Sequence, residues 1–226
     1  MIDTLRFTEA GLTVRLAHSL ADQDQVHRLR HKVFCEQLHW VPARADGREC
    51  DHYETGAVTL AVFTPDDRIV GLCRLIPGHR PFMLERDFKA LVGPGQILRK
   101  GPDAAEATRL TALSEPTAGI RPGLVSALLY KGIYRWARAQ AVRFLYLVVE
   151  TRYLCRLRRH GFPCRAIGPA TSLAHEMPCV AALLDWEAFL IQARAYPSAF
   201  TQWITETVPT PQAASPWRSP APDCER

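Results

Sequence analysis

The 226-residue chain contains no run of eighteen or more apolar residues, so no membrane-spanning helix is expected. Its first residues, Met1-Ile2-Asp3-Thr4, lack the basic-then-apolar order of a signal peptide, which leaves a cytoplasmic address as the expectation. No Gly-x-Gly-x-x-Gly run is present, and this argues against a dehydrogenase or a methyltransferase of the Rossmann kind. The seven cysteines, at 35, 50, 73, 155, 164, 179 and 224, are odd in number and lack close pairs. They read as free thiols, several of them buried, with neither a disulfide framework nor a metal site. Cys50 sits beside Asp51, whose charge would raise a thiol pKa, so it does not read as a nucleophile. Internal repeats, zinc-finger spacing and interleaved stacking aromatics are absent too. No nucleic-acid partner is expected.

What is present suits one domain. A hydrophobic fraction of 47% is enough for a substantial core, and the net charge of +5 is modest. Residues 1–206 are expected to form this domain. From Val208 onward five prolines fall within nineteen residues, so 207–226 reads as a disordered tail. Weak alternation over 5–17 suggests one short strand. A helix is expected from about Asp22 to Leu38, with Val26, Leu29, Val33 and Leu38 on its packed face. Arg30 lies at the edge of that face and is able to turn inward. Residues 59–63 and 68–76 flank Pro65-Asp66-Asp67 as a hairpin, and 77–101 is irregular with Phe82, Met83 and Leu84 as packing residues. A strand over 105–113 carries Glu106 and Arg109. A long helix is expected from Gly123 to Ala141, and Phe144–Val149 reads as a central buried strand. Next come a basic helix over 151–160 closed by Gly161, a strand over 180–184 and a helix after Asp185. Alternating strands and helices give an α/β or α+β domain.

Pro42 and Gly47 deliver three carboxylates, Glu49, Asp51 and Glu54, within six residues. Such a cluster repels itself unless arginines or a cation face it. At these residues the chain resembles a known family. Arg30-x-x-x-Phe34, Trp40, Glu49-x-Asp51-x-x-Glu54, Arg74 and Glu106-Ala-Thr108-Arg109 are similar to the signature of acyl-homoserine-lactone synthases, the autoinducer synthase family. The resemblance fades after about residue 205. Glu54 departs from it, standing where the family usually has Asp.

The resemblance implies an acetyltransferase-like (GNAT-type) fold, a bent mixed sheet flanked by helices. A V-shaped gap would open between the Glu106 strand and the Phe144–Val149 strand. It implies acylation of the amine of S-adenosylmethionine by an acyl thioester, then lactone formation with release of methylthioadenosine. No cofactor is needed beyond these two substrates. An N-acyl amino acid synthase, which would form no lactone, is the alternative on the same fold. A binding module without catalysis fits less well, since binding alone would not require the base, three arginines and acidic cluster together.

Acyl transfer to an amine needs a base, and Glu106 is the candidate. Arg109 is three residues on, so the two side chains are expected on opposite faces of the strand, with separate roles. Arg74 and Arg109 complete the catalytic set. The family's S-adenosylmethionine pocket implies that Arg30, Phe34, Trp40, Glu49, Asp51, Glu54 and Thr108 bind this zwitterion, whose sulfonium suits aromatic faces. A purely structural ion network is the other reading of the same charges. Leu145, Leu147 and Val149 share one face of their strand and are expected to wall an acyl pocket. In the resembled family a threonine often occupies the position of Leu147 in members that make 3-oxo products. An unsubstituted or hydrophobic acyl group is therefore expected here.

Between Arg152 and Arg165 there are five arginines, one histidine and no acidic residue. A patch of this kind attracts acidic proteins, nucleic acid or anionic membrane, or is an ordinary solvated helix face. With the resemblance in hand, Arg152, Arg156, Arg158 and Arg159 are expected to dock an acyl carrier protein. The loop 119–123 is not a complete glycine-rich pyrophosphate cradle, which shifts the donor from acyl-CoA toward acyl carrier protein. No stable membrane association is expected.

Overall fold

The computed structural model describes residues 5–113, 121, 123–173 and 177–206. The tail expected over 207–226, Cys224 and most of the loop 119–123 lie outside these residues. The chain opens with two strands rather than one, β1 (Arg6–Glu9) and β2 (Leu12–Leu16). The two residues between them, Ala10 at φ 51° and Gly11 at φ 77°, make a tight turn whose left-handed backbone matches the twist of a two-residue hairpin.

Helix α1 (Leu20–Arg30) starts at Ser19, whose side chain accepts from the Asp22 N–H at 3.0 Å. Asp22 in turn accepts from the Ser19 N–H and from Arg15. The helix does not continue as α to Leu38. His31–Gln37 is a π-helical turn, closed by Leu38 N–H donating to the Val33 carbonyl five residues back. The extra residue per turn rotates Leu38 off the packed face. Val26, Leu29 and Val33 are buried as expected, whereas Leu38 is 38% exposed.

Strands β3 (Val58–Phe63) and β4 (Ile69–Pro77) form the expected hairpin. The irregular stretch contains α2 (Met83–Arg86), with Phe82, Met83 and Leu84 buried. Next come β5 (Ala104–Ala112), α3 (Leu124–Ala139), β6 (Phe144–Glu150) and α4 (Thr151–Arg159). Two short strands, β7 (Arg165–Ala166) and β8 (Thr171–Ser172), precede β9 (Pro178–Asp185). Helices α5 (Trp186–Ala195) and α6 (Ala199–Thr205) close the described chain. The last helix goes beyond what the sequence predicts; its Ser198 cap and buried Ile204 are signals too short to stand out.

The strands form one mixed, bent sheet in the order β1-β2-β3-β4-β5-β6-β9-β7, with β8 also on β9. Among its pairings only β5 and β6 run parallel. Helix α3 crosses one face and buries Val125, Leu128, Leu129, Ile133 and Trp136 there. Gly132 permits the close approach, since a Cβ on it would lie 2.7 Å from Leu60 Cδ2. No helix among the described residues is long and apolar enough to cross a membrane.

Candidate active site

The site is set by where two strands part. β5 and β6 pair only over Ala104–Ala107 and Phe144–Leu147. Beyond that β5 stays with β4 to Ala112, while β6 runs beside β9 to Glu150, so a wedge opens between them. A cavity of about 620 Å³ fills the wedge. Its wall includes Phe34, Trp40, Glu106, Thr108, Arg109, Leu145, Leu147 and Val149. Arg30, Glu49, Asp51, Glu54 and Arg74 stand behind that wall, joined to it through Arg109 and Thr108.

Those five residues, with Arg109, form one neutral network of three guanidiniums and three carboxylates. Arg30 and Arg74 have no exposed surface. Arg30 Nε donates to Glu49 and its Nη1 to Glu54. Arg74 Nη1 donates to Asp51 at 2.5 Å and to Glu54 at 3.0 Å, and its Nε donates to Thr108 Oγ1 at 2.9 Å. Arg109 Nη2 donates to Glu49 at 2.9 Å and to Asp51 at 3.3 Å. The longer Glu54 thus shares one oxygen between two arginines. Burial pushes the Glu49 carboxyl up, but hydrogen bonds from Arg109 and Arg30 outweigh it and hold the group below its ordinary range. At Asp51 burial is likewise overcome, chiefly by Arg74.

Glu106 is braced differently. It is fully buried, and its two oxygens accept from the backbone N–H groups of Met83 at 2.6 Å and Leu84 at 3.0 Å, in the first turn of α2. Burial pushes its pKa up to about 7, against the pull of those N–H groups and of Arg74. The carboxyl therefore exchanges its proton near neutrality, the condition a general base requires.

The expected opposition of Glu106 and Arg109 does not hold. Between the pairs Arg74↔Thr108 and Leu72↔Thr111, one residue of β4 faces two of β5, which is a bulge. Arg109 occupies it with φ 53°, a left-handed backbone that costs strain in a non-glycine residue. The bulge breaks the alternation, so Thr108 and Arg109 both meet the arginine–carboxylate network. Arg109 and Glu106 also converge on Met83, the one at its sulfur and the other at its N–H. They make no ion pair with each other among the described contacts.

Phe34 is buried beneath the Arg109 guanidinium, 5.3 Å from its ring centre, and lies 6.1 Å from the Trp40 ring. Trp40 is 38% exposed at the mouth. On the other side Leu145, Leu147 and Val149 face the cavity with Ile133, Leu157 and Trp186. Between the helices Tyr130 and Tyr153 meet hydroxyl to hydroxyl at 2.5 Å, a pairing that sequence reasoning misses because its partners belong to α3 and α4. Met83, expected only as a packing residue, also accepts at its sulfur from Arg74 Nη2 at 3.3 Å.

The basic helix is only partly free. Arg152 pairs with Glu150, and Arg158 Nε donates to the Cys164 carbonyl at 2.8 Å. Arg156 and Arg159 are exposed and make no salt bridge among the described residues. No group of His, Cys, Asp or Glu among the described residues is arranged to hold a metal. Cys35, Cys73, Cys164 and Cys179 are buried, and burial pushes Cys73 and Cys164 up to about 12.

Comparison with known proteins is consistent with this geometry. The model of the autoinducer synthase family matches residues 15–189. The acyl-homoserine-lactone synthase of Rhizobium radiobacter is 31% identical over 155 residues, covering 67% of this chain and 73% of that protein. The structure of the CoA-dependent acyl-homoserine lactone synthase BjaI with S-adenosylmethionine and isopentyl-CoA superposes with a TM-score of 0.63 at 27% identity, over 77% of this chain and 82% of that one. The acyl-homoserine-lactone synthase LasI gives a TM-score of 0.72 at 18% identity, over 87% of this chain and 95% of its own, a likeness of fold.

Proposed function

The chain belongs to the autoinducer synthase family, and on that premise we propose that Glu106 is its catalytic base and the arginine-braced carboxylates its S-adenosylmethionine site. The chain is an acyltransferase, and its general reaction joins S-adenosylmethionine to an acyl thioester to give an acyl-homoserine lactone and methylthioadenosine. In the proposed sequence Glu106 takes a proton from the substrate amine, directly or through water. The amine nitrogen then attacks the thioester carbonyl, the carbon–sulfur bond breaks, and the thiol departs. The methionyl carboxylate next displaces methylthioadenosine from the carbon beside the sulfonium, closing the lactone.

The observation that carries this reading is the place of the Glu106 carboxyl, in the wall of the wedge with its two oxygens held by the Met83 and Leu84 N–H groups, where burial pushes its pKa up to about 7. Arg109 in the same wall, with Asp51 and Glu54 behind it, offers both signs of charge to a zwitterion, and Phe34 and Trp40 offer aromatic faces to the sulfonium. Arg74 and Thr108 hold that set in register. The donor is proposed to be an acyl carrier protein, docked on α4 by Arg152, Arg156, Arg158 and Arg159. Arg156 and Arg159 carry most of that docking, because the other two already have partners within the chain.

The test is to incubate the purified protein with S-adenosylmethionine and either acyl carrier protein or CoA thioesters, and to quantify methylthioadenosine and N-acyl products. Lactone with stoichiometric methylthioadenosine is expected. An open-chain N-acyl product without methylthioadenosine would identify a non-lactonising acyltransferase, and no acyl product with either donor would overturn the reading. Reversing Arg156 and Arg159 to Glu should raise KM for the carrier-protein donor by roughly tenfold at low salt, with little change for acyl-CoA. Equal sensitivity of both donors would remove α4 from carrier docking.

A further inference from the structure

The acyl half of the cavity is not uniformly apolar. Tyr130 on α3 and Tyr153 in the first turn of α4 bring their hydroxyls to 2.5 Å, and both residues line the cavity. The same lining holds Ile133, Leu145, Leu147, Leu157 and Phe162, together with Cys164, a weak acceptor, and Trp186, whose Nε1–H donates and cannot take a phenolic proton. Among the described contacts neither hydroxyl makes another hydrogen bond.

The proton count is decisive. Two phenols bring two protons, and the bond between them uses one. The hydroxyl that accepts keeps a proton with no acceptor, and lone pairs on the pair also stay unused. Burial raises the pKa of both tyrosines, so both protons stay in place at neutral pH. Tyr130 is only 8% exposed and its ring lies edge-on to Phe162 at 5.5 Å, which limits its freedom to turn away. A donor held in an apolar wall calls for a ligand oxygen.

We propose that the Tyr130–Tyr153 pair recognises a hydroxyl on the acyl chain, so that the favoured donor is a hydroxyacyl thioester. This rests on the acyl-transfer reading above and adds a substrate class to it. An alcohol satisfies both sides of the pair at once: its oxygen takes the spare phenolic proton, and its own proton goes to a free phenolic lone pair. A ketone accepts but gives nothing back, and a hydrocarbon chain leaves the pair as it was. Leu147, on β6, offers an oxygen nothing, so the discrimination belongs to the two helices and not to β6.

The experiment compares kcat/KM for thioesters of equal chain length that are unsubstituted, oxo-substituted, or hydroxylated at successive carbons, with methylthioadenosine release as the readout. In the wild type at least one hydroxylated donor should exceed the unsubstituted one by about tenfold or more. Tyr130→Phe and Tyr153→Phe should each bring that ratio to within about twofold, since either change removes the arrangement that an alcohol completes. Because the readout is a ratio within one protein, loss of folded enzyme cannot imitate the result. Turnover with no preference for any hydroxyl position, or a ratio unmoved in both variants, overturns the tyrosine assignment alone. Failure of every donor would overturn the acyl-transfer reading together with it.

Discussion

Glu49 and Glu106 are both withdrawn from water, at 2% and 0% exposure, yet their acidities move in opposite directions. Glu49 faces the guanidiniums of Arg30 and Arg109. Glu106 faces two backbone N–H groups. Burial disfavours the charged form at both. Full positive charge reverses that penalty at Glu49, whereas peptide dipoles only reduce it at Glu106. The same residue type therefore gives a fixed anion in one place and a proton acceptor near neutrality in the other. The arginine network holds a shape, and the α2 turn holds the proposed base.

The largest expected effect comes from removing the proton acceptor. Glu106→Gln should lower kcat by about 10²–10⁴-fold with little change in S-adenosylmethionine affinity, and should abolish the rise of kcat/KM through about pH 7. Stability gives an independent check. Because the folded pKa is raised, the contribution of this group is full below its ordinary pKa of about 4.5 and is lost as pH rises through about 7. The span is on the order of 3 kcal/mol, and the glutamine variant should lack it. Glu49 works in reverse: its depressed pKa contributes stability above the ordinary carboxylate range, lost as pH falls. Denaturant titrations at pH 5 and pH 8 measure the difference. An identical pH dependence for wild type and Glu106→Gln would show that Glu106 is not the raised group.

Breaking the other member of the comparison should act on folding before chemistry. Arg30→Met leaves Glu49, closed to water, and the partly exposed Glu54 each short of a partner, at a cost of about 3–5 kcal/mol. Adding Glu49→Gln should recover part of that loss, because the uncompensated charge is then gone. A single variant within about 1 kcal/mol of wild type, by denaturant unfolding, would mean that the network is not what holds the Glu49–Glu54 loop against the sheet.

How much of the molecule is legible in its sequence depends on whether a feature lies within one element. Arg30 beside Leu29 already points inward, and three acidic residues in one short loop demand arginines, which the structure supplies at Arg30, Arg74 and Arg109. The strands flanking the wedge are visible as the Glu106 strand and the apolar run from Phe144. The π-turn at His31–Gln37 leaves no sign in residue spacing; the Leu38 N–H bond to the Val33 carbonyl reveals it, and the exposure of Leu38 is its consequence. The bulge at Arg109 is hidden for a related reason: no glycine or asparagine marks the left-handed position, so plain alternation puts Arg109 on the wrong face. Ala10 conceals the first hairpin in the same way. The Tyr130–Tyr153 contact spans 23 residues and two helices, beyond the reach of any local pattern.

The smallest expected effect tests the β6 wall. Leu147 is half-buried in the cavity lining and shares its face with Leu145 and Val149, which join the same apolar core. Its side chain offers no hydrogen bond, so a 3-oxo group passing it would lose water without replacement. Leu147→Thr supplies a hydroxyl on a β-branched residue that suits a strand. The change should raise kcat/KM for a 3-oxoacyl donor relative to its unsubstituted counterpart by about three- to tenfold, the worth of one net hydrogen bond. Absolute rates should fall for both donors, since the smaller side chain leaves part of the apolar wall unfilled, and so the ratio is the quantity to measure. An unchanged ratio would mean that Leu147 does not meet the chain near its third carbon. A wild-type enzyme already preferring the 3-oxo donor would remove Leu147 from the acyl pocket altogether, and the polar partner for that oxygen would then have to come from the Tyr130–Tyr153 pair.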